Sequence, residues 1–240
     1  MSVDFHALQR RLLQFVRSEK KSRFRVSAVI ACLGVVTAIA IYWAYDEHQK
    51  RERPRIVSAL VRDASVRFED ALSSGSSNAA FGQRLDQHVI EVERNLLKLR
   101  AMDTTSIEEF ASAADDYLLT TREVLKRQAS GFRYRLQLSD SNQALRHHMR
   151  SDNRTGTWIT QAVRTKERVE ADYRDYKMTT EALDQLLGLF SASRAKLIPL
   201  VDPAALTDET AITNARNRAR EAFGKITEEV ARSGQLNTYR

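Results

Sequence analysis

Apolar residues recur every three to four positions along most of this chain. No stretch sustains the period-two alternation of a strand, so the pattern predicts helices throughout. Residues 55–73 place Ile56, Leu60, Ala64, Phe68 and Leu72 on one face, and residues 79–101 step through Leu85, Val89, Val92, Leu96 and Leu99. A long helix is expected over about 106–150, with Ile107, Phe110, Ala114, Tyr117, Leu125, Phe132 and Leu136 in its stripe. The next, about 158–194, has the most regular stripe. Its seam of Ile159, Val169, Tyr173, Tyr176, Leu183, Leu187 and Phe190 follows coiled-coil-like 3,4 spacing, interrupted by Lys166 and Thr180. A last helix, about 203–232, is alanine-rich on its inner face, with Ala215, Ala219 and Ala222 beside Ile212, Ile226 and Val230.

The breaks are read from polar and capping residues. Ser73-Ser74-Gly75-Ser76-Ser77-Asn78 and residues 151–157 are turns by composition. Ser106 with Glu109 three positions on predicts a capping box, in which side chains satisfy the free amides of the first helical turn. Ser139-Asp140-Ser141-Asn142 is a polar interruption that could split the third helix. Asp202-Pro203 predicts the start of the last helix, and Gly234 its end. Pro54 is expected to kink or restart the helix that contains it, because proline lacks the amide proton of the helical ladder.

One run departs from amphipathic spacing. Residues 26–45, VSAVIACLGVVTAIAIYWAY, are uncharged for 20 positions and apolar all round. About 20 such residues cover the hydrocarbon core of a bilayer, so the run predicts a transmembrane helix. Arg23 and Arg25 flank one side. Tyr42, Trp43 and Tyr45 lie at the other, where amphipathic rings favour the headgroup level. The run is too long, and ends too aromatically, for a cleaved signal peptide. Val29-Ile30-Ala31-Cys32 resembles a lipobox, but the apolar run continues past Cys32, which reads as a small residue of the span.

Charge sharpens this division. The net charge of +7 suggests a nucleic-acid partner until it is mapped. Residues 1–45 hold seven Lys/Arg and two Asp/Glu, which leaves 31 basic and 29 acidic residues in 46–240. The larger region is close to balanced, and no nucleic-acid partner is expected. The basic side of the run points to a cytoplasmic N-terminus under the positive-inside rule. Residues 4–18, with Phe5, Leu8, Leu12 and Phe15 on one face, form a basic amphipathic segment suited to an anionic leaflet.

The expected organisation is a cytoplasmic segment over 1–23, a transmembrane helix over 24–45, and an extracytoplasmic domain over 46–240. The fold class is all-α: one span followed by an elongated antiparallel bundle of four to five helices. The expected location is a bacterial inner membrane, with the bundle in the periplasm and membrane lipid as one partner.

Chemistry contributes little to this picture. A single Cys excludes an internal disulfide and a Cys-based zinc site. His147 and His148 are adjacent, so on a helix they point about 100° apart and cannot share an ion. The carboxylate pairs Glu108-Glu109, Asp115-Asp116 and Glu228-Glu229 have no neighbouring His to form an acid–base unit. Phosphate-loop, metalloprotease, haem-attachment and nucleophile-elbow patterns are absent from the sequence. Arg122, Lys126, Arg127, Arg133 and Arg135, with Phe132 and Tyr134 among them, make a basic stretch. It reads as a solvated face or an anion patch. No catalytic residue, cofactor or metal is expected.

The expected role is a non-enzymatic scaffold or assembly subunit that contacts other envelope proteins, with a homo-oligomer as a further option. An alternative is a sensor-like ligand-binding bundle that signals through a partner. A span followed by an external bundle is similar in architecture to the sensory half of bacterial chemoreceptors and sensor kinases. Secretion or efflux adaptors share the layout but carry β-segments that this chain lacks. An immunity-type membrane protein is a further alternative.

Overall fold

A computed structural model of the chain describes residues 23–73, 79–151 and 156–235, with side chains over 33–72, 80–151 and 156–233. Among the described residues the fold is all-α: α1 (Arg23–Ser73), α2 (Ala79–Ala101), α3 (Glu108–Arg150), α4 (Gly156–Leu197) and α5 (Glu209–Gln235), with a 3-10 turn at Pro203–Ala205 before α5. The chain divides into two compact units, Met1–Arg53 and Pro54–Arg240. The amphipathic segment 4–18, the turn residues 74–78 and 152–155, and the side chains of Arg23, Arg25, Cys32 and Gly234 lie outside this description.

In the first unit the described part of the uncharged run is helical and uncovered by protein. Leu33, Val35, Val36, Ile39 and Ile41 are all exposed, as are Tyr42, Trp43 and Tyr45. Among the described residues no helix is long and apolar enough to cross a membrane. Residues 33–45 alone rise about 20 Å, short of the ~30 Å hydrocarbon core, so the expected span over 24–45 gains no support from them. Helix α1 is assigned through Pro54, where a kink or restart was expected. Proline removes one ladder bond. The turn before it carries the ion pairs Lys50–Asp46 at 2.6 Å and Arg51–Glu47 at 3.2 Å.

The second unit is built on an antiparallel hairpin. Helices α3 and α4 have 43 and 42 residues, about 65 Å each. Their pairing runs from Lys196–Asp116 at the proximal end to His148 stacked on Trp158 at the turn. Residues 54–73 of α1 and all of α2 pack on the proximal half of this hairpin as a second antiparallel pair. Asp63 meets Asn95 and Asp70 meets His88 across that pair. Helix α5 runs antiparallel to α4, from Glu209 beside Ser191 to Thr227 beside Tyr173, and reaches Arg146 of α3 through Glu229. The proximal half therefore contains parts of all five helices, and the distal half only α3, α4 and the end of α5.

Two cores follow from this layout. The proximal core is led by Phe68, Leu85, Leu96, Tyr117, Leu125 and Phe190, all fully buried. Phe68 stacks on Phe190 with ring centres 4.2 Å apart, and Tyr117 leans on Phe190 at 5.0 Å. The Tyr117 hydroxyl lies 2.8 Å from Ser65 Oγ and 3.3 Å from Thr207 Oγ1, tying α1, α3 and the segment before α5 together. The distal core is Leu138, Leu145, Val169 and Tyr176, with Tyr134, Tyr173, Phe223, Ile226 and Val230 around it.

Several local expectations change. The N-cap of α3 is Ile107, one residue later than the expected Ser106, and its own side chain makes no capping bond. The preceding turn is held by Ile107 N–H donating to Thr104 C=O at 2.8 Å. Helix α3 also continues through Ser139–Asn142, because Ser141 and Asn142 turn inward. Ser141 Oγ donates to Leu138 C=O at 3.1 Å, and Asn142 faces Glu229 of α5. Asp202 caps the 3-10 turn through Ala204 N–H at 3.0 Å, rather than opening the last helix. That helix begins later, where Asp208 accepts from Thr210 N–H at 3.2 Å.

Candidate functional site

Most polar side chains at the helix interfaces of the second unit are used as struts. Arg100 donates two hydrogen bonds to Asp115, at 2.7 and 2.9 Å, joining α2 to α3. Arg133 reaches both carboxylate oxygens of Asp86 at 2.7 Å on the same pair of helices. Arg122 sits between Glu123 and Glu93. Arg216 and Arg220 of α5 both meet Asp184 of α4, at 2.8 and 3.1 Å. Exposed pairs of this kind are worth about 0–1 kcal/mol each, so they fix register more than they stabilise.

Part of the basic stretch 122–135 is paired by these contacts. Arg122 and Arg133 have carboxylate partners, and Lys126 lies 4.0 Å from Glu123. Phe132 packs edge-on against Phe81, with ring centres 5.4 Å apart. Gly82 allows this approach, since a Cβ there would lie 3.1 Å from the Phe132 ring. Arg135 has no carboxylate within ion-pairing distance among the described residues, and it lines a cavity.

That cavity has a volume of about 260 Å³ and lies in the second unit, where α1 ends, α2 begins and α5 crosses the α3–α4 hairpin. Small residues leave it open: Ala71, Gly131, Ala215, Ala219 and Ala222 line it from three helices. Phe81, Phe132 and Leu183 complete the apolar wall. Tyr176 is buried beside it, and burial raises the phenol above its ordinary range against the opposing pull of the nearby Arg135 charge. Gln128 donates from Nε2 to Ala71 C=O at 3.0 Å, while its buried Oε1 has no hydrogen-bond partner. Arg135 and Arg218, both exposed, are the charged residues of the lining.

A larger hollow of about 680 Å³ lies near the hairpin turn, lined in part by Asp140, His147, Gln161 and Arg164. These four side chains are exposed, so it is an open trough that encloses no ligand. His148 beside it is engaged: its Nε2 lies 2.9 Å from Trp158 C=O, and Trp158 Nε1 donates to His148 C=O at 3.2 Å. Among the described residues no group of three or more His, Cys, Asp or Glu is arranged to hold a metal ion.

The seam of α4 is divided between the two cores. Val169, Tyr176, Leu187 and Phe190 are buried, and Tyr173 and Leu183 are half-buried against them. Ile159 is 66% exposed, because it falls in the first turn of α4, before α5 reaches the hairpin. The stripe is thus consumed by α3, α5 and the proximal helices of the same chain. Of the residues expected at a membrane interface, Tyr42, Trp43 and Tyr45 are exposed, and Gln49 Nε2 donates to the Tyr45 hydroxyl at 3.1 Å. The sequence reading missed the cavity. Its signal is the coincidence of small residues on three helices, visible only once their relative heights are known.

Among the described residues these features define a class: an all-α helical bundle with an ion-paired exterior and a partly enclosed apolar cavity. No protein-family model, curated protein or solved structure matches the chain.

Proposed function

We propose that this protein is a non-enzymatic, single-pass, membrane-anchored helical scaffold of a bacterial cell-envelope complex. In this reading residues 24–45 cross the inner membrane, the N-terminus is cytoplasmic, and the bundle contacts other envelope proteins from the periplasm. The observation that carries the anchor is the uncharged run 26–45 in the sequence, long enough as a helix to cover a hydrocarbon core. The scaffold role is supported by the α3–α4 hairpin, about 65 Å long and tied by ion pairs to α2 and α5.

The test is crosslinking with mass spectrometry on native-host membranes carrying the tagged full-length chain. Reproducible links from 46–240 to one other envelope protein are the expected result. Links confined to the chain itself would overturn the assembly role. Recovery of the full chain without detergent would overturn the anchor. The sensor-like reading draws on a different observation, the cavity.

A further inference from the structure

We infer that the cavity at the α1–α2 end of the bundle is a binding site for a small amphiphile with one anionic end, such as an arylalkyl carboxylate. Three observations converge on this class. The first is space. A volume of about 260 Å³ is far more than one water needs, and somewhat below the ~300 Å³ lower bound of pockets that take drug-sized ligands. The site therefore suits a body of about a phenyl ring with a short chain. The second is the lining. Alanines, Gly131, Phe81, Phe132 and Leu183 offer apolar surface, and no carboxylate is among the lining residues.

The third is charge. Arginines at the helix interfaces of this unit are paired with acids: Arg100 with Asp115, Arg133 with Asp86, Arg146 with Glu229, and Arg216 with Asp184. Arg135 and Arg218 line one cavity from two different helices, and neither has a carboxylate partner among the described residues. Guanidinium groups lining an apolar space are matched by a carboxylate, to which a guanidinium donates in a fixed fork geometry. Buried polar groups are ordinarily partnered. Gln128 Oε1 is the unpartnered buried acceptor whose residue lines this wall, and it gives the site a further polar group.

The small residues have a consistent role in this account. Ala215, Ala219 and Ala222 hold α5 away from filling the space that leucines would occupy in an ordinary core. The inference does not depend on the membrane anchor or on an assembly partner, and its failure leaves both untouched.

The experiment is isothermal titration of the full chain in lipid nanodiscs with 3-phenylpropionate, and with 3-phenylpropanamide as its uncharged match. Saturable binding of the carboxylate at one site, about tenfold or more tighter than the amide, is expected. Replacing both rim arginines, Arg135→Gln with Arg218→Gln, should weaken carboxylate binding about tenfold and leave amide binding unchanged. Ala219→Leu should fill the cavity and abolish binding of both. The arginine variant alters exposed side chains, so it decides the matter even if the filled variant fails to fold. Equal affinity for the two probes, carboxylate binding indifferent to the arginines, or absence of saturable binding would overturn the inference.

Discussion

The proximal and distal halves of the second unit use the same two helices, α3 and α4, yet differ in what holds them together. Proximally, residues 54–73 of α1 together with α2 close a core of large residues around Phe68, Tyr117 and Phe190. Distally, α5 alone covers the hairpin, the buried apolar residues are four, and tyrosines and Phe223 do much of the packing. A core enclosed by several helices cannot relax when a side chain is lost, whereas a three-helix section with solvent on its flanks can.

The most severe break in this contrast is Phe190→Ala. It removes a ring in contact with both Phe68 and Tyr117, and should destabilise the unit by about 3–5 kcal/mol. Hydrogen exchange should show protection falling together across both halves. Leu145→Ala, in the distal core, should cost about 2 kcal/mol, the low end for such a truncation, because its surroundings can close in. Its exchange signature should be confined to the distal amides of α3 and α4. A uniform loss would mean that the two halves melt as one.

Tyr117→Phe should cost about 1–2 kcal/mol, since the Ser65 and Thr207 hydroxyls lose a buried partner. It also carries a pH signature. Burial raises the Tyr117 phenol above its ordinary value, with the hydrogen bonds from Ser65 and Thr207 opposing. The folded state therefore favours the protonated form. This contribution is complete below the unfolded tyrosine value of about 10 and is lost as pH rises through the folded value. Denaturant unfolding of Tyr117→Phe should fall less steeply with pH above about 10 than that of the parent chain.

Asp63 behaves in the opposite sense. Burial pushes its carboxyl up, but hydrogen bonds from Arg67 and Asn95 outweigh this and hold it below the ordinary value. Its contribution is present above the unfolded aspartate value of about 4 and lost as pH falls through the folded value. Asp63→Asn should lose less stability than the parent between about pH 4 and pH 2, as measured by acid unfolding. The smallest expected effect is Arg133→Ala. Its exposed pair with Asp86 should be worth under about 0.5 kcal/mol in thermal melts.

Much of this helical layout is readable from spacing alone. The stripe from Leu85 to Leu99 becomes the buried face of α2, and most of the α4 seam is buried or half-buried. The errors have a common origin. Ser139–Asn142 resembles a break because polar residues are assumed to face water, whereas Ser141 and Asn142 face inward toward α5. Ile159 continues the seam in sequence, but α5 does not extend to its level. The cavity is invisible for the same reason: alanines spaced for close helix approach read as tight packing until the ends of α1 and α2 are located. Periodicity reports which face of a helix is apolar; it does not report how far along that face a neighbour extends.

The interlocked rings at the hairpin turn give this molecule a built-in optical gauge. The chain has two tryptophans, Trp43 in the uncharged run and Trp158 stacked on His148 with ring centres 5.0 Å apart. Substituting Trp43→Phe leaves one tryptophan, seated at the far end of the distal half. Its emission would follow separation of the α3 and α4 ends without any attached dye.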